Sequence, residues 1–449
     1  MSEDNKMNKD VAVLGAGPAG IYAARELARA GYDVALINRD IKPGGLAEYG
    51  IYKSKHKMKE GLRKQFRQVM AEENLHYFGN LTIGEEQELS INDLKEMGFE
   101  AILITVGAQG TKWLGMPGEE LNGVYHAKDL VYHYNQLPPF SEQKFDIGKK
   151  VLCIGVGNVM LDIAHWCIRD LKIEEVIAIA RRGPADVKFT KKEMSIVGKN
   201  LDLEALDAEF ARSDELMKAM NQDPDAAKNF ILSALPKAEE KVSDTRFVLE
   251  FLASPKALLG DENGHVRAVE VNETTLELRD NGSTKAVNTG ESREIEADTV
   301  VFCIGDKVDA SLGLPLNQWN EFAKHPKPSY PIDENSYEAY NPDKDAAVEG
   351  IFLAGWSREA SSGLVGSARK DGTNGANAMV AYLEAEGKGK DGAIAKLEAK
   401  VSGRQDPVVH KVDIAKLEEN EAKVAEENGL EEFKYGSNDD MLKAMGLTS

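Results

Sequence analysis

Two glycine runs are spaced for chemistry. Gly15, Gly17 and Gly20, with Pro18 and Ala19 between them, form a GxGxxG string, and Gly155, Gly157, Asn158 and Val159 open a second run with Met160 at the third glycine position. In such a string the first glycine permits a tight turn and the second lets backbone approach a pyrophosphate. The third lets the following helix pack closely on the strand, and the helix N-terminus faces the anion. The string alone is weak evidence, so its context decides. Val11–Leu14 is an apolar run before the first string, Ile21–Ala30 has a helical pattern stopped by Gly31, and Val34–Ile37 reads as a second strand. The second string lies between a strand at Val151–Ile154, a helix running to about Arg169 and another strand at Val176–Ala180. Each is a βαβ unit that fits a bound dinucleotide; the alternative is a purely structural glycine turn.

The residues ending the second strand of each unit bear on which nucleotide is bound. Asn38 stands where an acid usually meets the adenosine ribose, and its amide oxygen can accept from a hydroxyl without charge assistance; it can equally be a turn residue. In the second unit Arg181-Arg182-Gly183-Pro184 follows the strand. Arginines match a 2′-phosphate, whereas an acid would favour the 2′-hydroxyl of NAD, so this end points to NADP(H) unless the pair is merely solvated. Ala101–Val106 running into Gly107, and Asp298–Ile304 running into Gly305, read as strands leading from one dinucleotide domain to the other, or as ordinary buried strands. After the apolar run 350–354, Gly355-Trp356 precedes a turn holding Ser361, Ser362, Gly363, Leu364, Val365 and Gly366 that opens a helix. Such a turn offers N–H groups to an anion or an electron-rich heterocycle, and Trp356 serves either it or simple packing.

The elements that position these residues must come from a large chain. Its 449 residues are about three times a ~150-residue domain, so two or three domains are expected. With 42% hydrophobic and 29% charged residues the composition is that of a soluble protein, and no apolar run reaches the ~18 residues of a membrane span. The polar start, Met1–Asp10, has no signal-peptide core, so a cytoplasmic location is expected. Three cysteines, Cys153, Cys167 and Cys303, are spaced too widely for a CxxC dithiol, a disulfide framework or a four-thiolate iron–sulfur site. A net charge of −20 argues against a nucleic-acid binder. The stretch 201–241 is charged and helix-prone, with breaks at Pro224 and Pro236; 246–254 and 265–271 alternate like strands. Beyond about Ala385 a Gly/Lys-rich stretch precedes a charged helix, Ile414–Asn428, ended by Gly429, which reads as an appended helical tail.

Taken together, GAGPAG at 15–20, GGLAEYGIYKSKHKMKEGLRKQF at 44–66, HYFGN at 76–80, GMPGEELNGVYHAKDLVYHYN at 115–135, GVGNVMLD at 155–162, RRGPADVKFTKKEM at 181–194 and GWSREASSGLVG at 355–366 resemble the adrenodoxin-reductase type of ferredoxin–NADP(+) reductase. More distantly the chain is similar to the glutamate synthase small-subunit group. The resemblance implies an α/β fold of two Rossmann-like dinucleotide-binding domains, the NAD(P) domain inserted in the FAD domain, plus the helical tail. The implied boundaries are 1–112 with 340–400 for FAD, 113–339 for NAD(P)H and 401–449 for the tail.

It also implies roles. Gly15, Gly17, Pro18, Ala19 and Gly20 would hold the FAD pyrophosphate, with Asn38 at the ribose position; Gly45, Leu46 and Gly107 would line the same cofactor. Gly355, Trp356, Gly363, Leu364 and Val365 would lie against the flavin ring. Gly155, Gly157, Asn158 and Val159 would contact NADPH, Arg181 and Arg182 its 2′-phosphate, and Glu193 the nicotinamide. His56 would orient the nicotinamide or relay protons. The chain departs from the pattern in having Lys57 where the family commonly has proline, Ile196 where members carry a second glutamate, and Ala360-Ser361 for the usual Gly-Pro. No metal site is implied.

The implied activity is hydride transfer between NADPH and FAD and single-electron transfer to a ferredoxin-like iron–sulfur protein. Two alternatives are an electron-transfer subunit of a larger oxidoreductase, with the acidic body and tail as assembly contacts, and a flavin scaffold without turnover. Lys53, Lys55, Lys57, Lys59, Arg63, Lys64 and Arg67, opposed within their stretch only by Glu60, suggest a positive funnel for an acidic partner or else a solvated helical face.

Overall fold

The computed structural model describes residues 9–361, 363–387 and 392–448. Residues 1–8 of the polar start, Ser362 of the glycine-rich turn and 388–391 of the Gly/Lys-rich stretch lie outside the described residues. The chain separates into two compact units. One runs to Thr111, takes Tyr132–Glu142 and resumes at Gly305; the other is Lys112–Val131 with Gln143–Ile304.

The first unit is built on a six-stranded sheet in the order Glu338–Asn341, Ala346–Leu353, Ile102–Ile104, Asp10–Leu14, Asp33–Ile37, Leu75–Phe78. All neighbours are parallel except the edge strand Glu338–Asn341. Because side chains alternate across a strand, Val11, Val13, Val34 and Leu36 enter one apolar core while Ala12, Leu14, Ala35 and Ile37 enter the other. Burial on both faces explains why these strands read as unbroken apolar runs. Helix Pro18–Arg29 begins with proline at its first turn, which fixes φ where no intrahelical donor is needed, and buries Ile21, Ala24 and Leu27 on the first of these cores.

The segment 305–339, expected in the nucleotide-binding insert, belongs instead to the first unit. Asp306–Lys307 pairs antiparallel with Gly110–Thr111, and Val308, Leu312, Leu314 and Phe322 fill the same core as Leu14. The C-terminal residues are likewise no appendage. Leu397, Val401 and Val408 complete one core, and Val409, Ile414, Leu417, Met441 and Met445 complete the other. Gly79 and Val409 exchange backbone hydrogen bonds of 2.8 and 2.9 Å. Helix Lys411–Glu427 thus has an apolar stripe that its high charge content concealed.

A buried charge network ties this C-terminal part to the segment after the first glycine loop. Lys42 pairs with Glu421 and lies 4.0 Å from Glu48. Glu48 also accepts from Lys434 at 2.7 Å and from Arg63 at 2.5 and 2.7 Å, and Arg63 pairs in addition with Glu432. Burial alone would raise the Glu48 carboxyl, but Lys434, Lys42 and Arg63 hold it well below the usual carboxylate range. Three acids balance three bases, so the cluster is neutral only when residues 421–434 are in place. Lys59, 1% exposed, donates to Asn135 Oδ1 at 2.9 Å. Burial and the like charge of Lys434 outweigh Glu432 and Glu48 and bring its pKa down to about 7.

The second unit carries a five-stranded parallel sheet, Val124–His126, Thr299–Phe302, Lys150–Ile154, Glu175–Ile179, Arg246–Glu250. The run 246–254, expected as one strand, divides at Leu252, whose φ of 52° turns the chain out of the sheet. Ala253–Gly260 then starts a three-stranded antiparallel sheet with Val266–Leu278 and Thr284–Glu296. The charged stretch after Leu201 forms helices Leu203–Ala219 and Pro224–Leu232. No helix among the described residues is long and apolar enough to cross a membrane.

Two outcomes check the network. Removing one partner of a buried ion pair costs about 3–5 kcal/mol, whereas an exposed lysine costs within about 0.5 kcal/mol. Lys434→Met should therefore lower the urea midpoint markedly and Lys57→Met should not. The Lys59 ammonium persists in the unfolded chain up to about 10.5 but is lost in the fold from about 7, so between these values the unfolded state binds more protons and stability rises with pH. Below about 7 the full penalty of burying the charge applies. Lys59→Met should raise the urea midpoint at pH 6 and flatten its rise between pH 7 and 10; an unchanged pH profile would show that Lys59 titrates normally.

Candidate dinucleotide-binding sites

The three glycines of the first loop do different work. Gly15 has φ of 100°, and a Cβ there would lie 2.6 Å from the Thr105 carbonyl oxygen. At Gly20 a Cβ would lie 1.8 Å from the Gly15 carbonyl oxygen and 2.5 Å from Thr105 Oγ1. Gly17 has nothing within 4 Å of that position. Packing therefore requires glycine at 15 and 20, while at 17 the bare backbone faces open space, as close approach by a pyrophosphate demands. Gly17 is also the N-cap of helix Pro18–Arg29 and supplies no side-chain cap, so the first-turn N–H groups are left for a ligand. Helices Leu203–Ala219, Pro224–Leu232 and Asn438–Met445, by contrast, are capped by Asp202, Asp223 and Ser437.

Neighbouring segments close on this loop. The Thr105 hydroxyl donates to the carbonyls of Leu14 and Gly15, at 2.9 and 2.8 Å. Gly44 N donates to Ala16 O at 2.7 Å, and Gly45, with φ of 50°, sets its Cβ direction 3.0 Å from Gly17 Cα. Leu46 follows, packed on Tyr49, Tyr132 and Leu137. Asn38 is 7% exposed and its amide knits the loop: Oδ1 accepts from Ala16 N at 3.0 Å, and Nδ2 donates to Asp40 O, Lys42 O and the Tyr77 hydroxyl. Both amide protons are thus spent on the protein. The turn reading of Asn38 is the one this geometry supports.

The late segment lies on the early loop. A Cβ at Gly355 would come 2.7 Å from Ala19 Cβ, and one at Gly372 would come 2.1 Å from the Ala19 carbonyl oxygen. Trp356, partly exposed, is therefore carried beside the turn at 15–20, and Gly107 N donates to Ser357 Oγ at 2.9 Å. Asp371, which the sequence did not single out, fixes this arrangement. It accepts from Gly355 N at 2.6 Å, from the Tyr337 hydroxyl at 3.0 Å and from Arg358 at 2.7 Å. Helix Val365–Glu386 has no side-chain cap, and Gly363 and Leu364 before it are exposed. His56, at the start of helix His56–Met70, lies with Nδ1 3.3 Å from Glu431.

In the second unit the logic repeats. Gly155 has φ of 117° and would place a Cβ 2.5 Å from the Cys303 carbonyl oxygen, while Gly157 again faces open space. Met160, at the third glycine position, is fully buried. Asn158 Oδ1 accepts from Thr190 N at 2.8 Å, and Thr190 caps helix Lys191–Val197 by accepting from Glu193 N. Asn158 and Glu193 are thereby linked through one residue; Val159, 42% exposed, stands on the outside of the loop. Arg181 is exposed, and no ion pair to it occurs among the described residues. Arg182 pairs with Asp186 at 3.0 Å.

Two expectations change. The cationic run 53–67 is partly neutralised: Lys59 is buried, Arg63 is held by Glu48 and Glu432, and Arg67 pairs with Glu60 and lies 3.9 Å from Glu418. Lys53, Lys57, Lys64 and Arg67 are its exposed cations. Two of the opposing acids, Glu432 and Glu418, come from the C-terminal part, so the stretch itself could not reveal them. The cysteines, distant in sequence, gather in the second unit, where all three are free and buried. Burial pushes the thiols of Cys167 and Cys303 well above the ordinary range, so they are poor nucleophiles.

Comparison with known proteins agrees with this geometry. Residues 9–197 match the family model described as pyridine nucleotide-disulphide oxidoreductase. The chain is 27% identical over 390 residues to a mitochondrial NADPH:adrenodoxin oxidoreductase of Arabidopsis thaliana, covering 79% of this chain and 78% of that protein. It is 28% identical over 409 residues to the NADPH-ferredoxin reductase FprA of Mycobacterium leprae, covering 83% and 84%. The solved structure of the Mycobacterium tuberculosis oxidoreductase FprA superposes with a TM-score of 0.80 at 24% identity, over 98% of this chain and 100% of that one.

The glycine geometry predicts a split. Gly17→Ala, with an unstrained φ of −76° and open space, should leave the thermal unfolding of ligand-free protein unchanged while weakening dinucleotide retention at least about tenfold. Gly20→Ala must displace backbone and should destabilise the ligand-free protein itself by roughly 2 kcal/mol or more. Equal effects of the two on unfolding would contradict the assignment of Gly17 to the ligand.

Proposed function

We propose that this chain, an adrenodoxin-reductase-type member of the two-dinucleotide-binding flavoproteins, is an NADPH-dependent reductase of a ferredoxin-like iron–sulfur protein. The observation that carries the reading is the pair of uncapped glycine loops, one in each unit, each with a central glycine facing open space. The first loop has the Gly355-Trp356 turn packed on it, and the second unit has the free Arg181 at a strand end. The residues fit FAD in the first unit and NADPH in the second. When bound, these cofactors supply hydride transfer between nicotinamide and flavin and one-electron delivery to the iron–sulfur partner.

The chain's own residues bind and orient. Gly17 and the first turn of helix Pro18–Arg29 hold the FAD pyrophosphate; Gly45 and Leu46 flank it, and Trp356, held by the Asp371 bond to Gly355, lies against the flavin. The N-terminus of helix Val365–Glu386, which has no side-chain cap, would offer its N–H groups to the pyrimidine end of the ring. Gly157 takes the NADPH pyrophosphate and Arg181 the 2′-phosphate. Glu193, placed by the Thr190 cap and the Asn158 link, serves the nicotinamide. His56, held near Glu431, is the group assigned to proton handling at the flavin.

The three thiols are buried and those of Cys167 and Cys303 are held protonated, which favours an external electron carrier over a disulfide. An electron-transfer subunit of a permanent complex is less favoured, because the acidic tail that suggested an assembly contact is packed into the first unit's own cores.

Anaerobic titration is the direct test. NADPH should bleach the flavin absorbance of the purified chain within a turnover time, and an added ferredoxin should restore it; a colourless protein or an inert flavin would refute the reading. A hydrogen bond to a charged group contributes about 1.5–3 kcal/mol, so Arg181→Ala should raise KM for NADPH roughly 10- to 100-fold and leave KM for NADH nearly unchanged. Equal loss with both nucleotides would make Arg181 structural.

A further inference from the structure

The loop 181–186 is held from three directions by parts of the second unit that lie far apart in sequence. Thr274, on the long strand Val266–Leu278, donates its hydroxyl to Arg181 O at 2.8 Å. Leu252 N donates to Arg182 O at 3.2 Å, and Leu276 packs within 3.6 Å of the Cβ direction of Gly183. The third hold converges on one carboxylate. Asp186 Oδ2 accepts from the Thr284 hydroxyl at 3.0 Å and from Gln222 Nε2 at 3.2 Å. Its other oxygen, Oδ1, meets Arg182 Nη1 at 3.0 Å.

This division of labour has a physical consequence. Two neutral donors, from the hairpin strand Thr284–Glu296 and from the turn between the two inserted helices, fix the Asp186 carboxylate whatever Arg182 does. Arg182 then rests on a fixed anion through one guanidinium nitrogen, which leaves its other donors for a second anion. An arginine held this way loses little rotamer freedom when it binds, so its bond to a phosphate is stronger than that of a solvated arginine. The Asp186 side chain is 14% exposed, set back from solvent relative to the 31% of Arg182, so the guanidinium screens its charge.

We propose that Asp186 is a specificity-determining positioning residue: anchored by Thr284 and Gln222, it pre-orients Arg182 for the 2′-phosphate of the nucleotide. The inference rests on the assignment of NADPH to the second unit. It gives a purpose to the long hairpin and the inserted helices, which the glycine loop itself does not use. Arg181 supplies a charge with no ion pair among the described residues, and Arg182 supplies a directed one.

The test is fragment binding by calorimetry to the full-length chain. 2′,5′-ADP carries the 2′-phosphate and 5′-AMP lacks it, so the ratio of their affinities isolates this loop from the rest of the site. The unmodified chain should prefer 2′,5′-ADP; absence of that preference would refute the NADPH assignment itself. Given the preference, Asp186→Asn should reduce the ratio roughly three- to tenfold through loss of the 2′,5′-ADP affinity alone, with 5′-AMP unchanged, as expected for loss of one partly exposed charge contact. KM for NADPH should rise by the same factor with kcat unaltered. An unchanged ratio, or a higher one because the carboxylate had been competing with the phosphate, would overturn the proposal. If Asp186→Asn does not fold, Thr284→Val combined with Gln222→Leu keeps the carboxylate but frees it, and should shift the ratio in the same direction. No shift in that double variant would also overturn it.

Discussion

The first unit depends on the absence of side chains around Ala19. Four segments distant in sequence reach the same small volume: the loop at 15–20, the turn at 44–45, the turn at 355 and the helix at 372. Gly20 abuts Gly15, Gly372 abuts the Ala19 carbonyl, Gly355 abuts the Ala19 methyl and Gly45 abuts Gly17. At separations of 1.8 to 3.0 Å, an added methyl at any of the four must displace a neighbour. Close backbone approach brings the helix N-terminus, the second glycine turn and the tryptophan turn to one place. The one glycine in the loop not required by packing, Gly17, is the one left open.

What surrounds that point is held by charge rather than by apolar burial alone. The helix at 46–49 carries Glu48 inward, where three cations surround it, and two of the acids that complete the balance come from residues 421 and 432. Burying such a cluster costs desolvation that its internal attractions repay only when every partner is present. The C-terminal segment is therefore part of the scaffold that sets the 44–67 segment beside the glycine loop. The same pairing takes Arg63 out of the positive field that this segment has in isolation.

The second unit uses the same glycine device with a different support. Its loop is linked to helix Lys191–Val197 through Asn158 and the Thr190 cap, and its arginine turn is braced by the hairpin and the inserted helices. In a chain with net charge −20, a short cationic turn is a local exception to the surrounding field, and holding it rigid is a way to keep it directed at an anionic ligand. The three cysteines of this unit are free and buried.

Local features settled much of this protein in advance. The two βαβ units, the strand ends at Asn38 and Arg181 and the helix after Gly363 were readable because period, turn chemistry and glycine spacing act within about 30 residues. The residues that pattern could not identify are those whose partners are far away in sequence. Asp371 binds Gly355, Asp186 binds Thr284 and Gln222, and Glu48 binds Lys434; none has a local signature. Asn38 looked like a ribose ligand because its position is a strand end, but the amide is spent on Ala16 and Tyr77. The domain boundary at 305 and the integral place of the tail were hidden for the same reason. Apolar residues such as Leu312 or Met441 announce that they will be buried, but only the assembled sheets decide which core takes them.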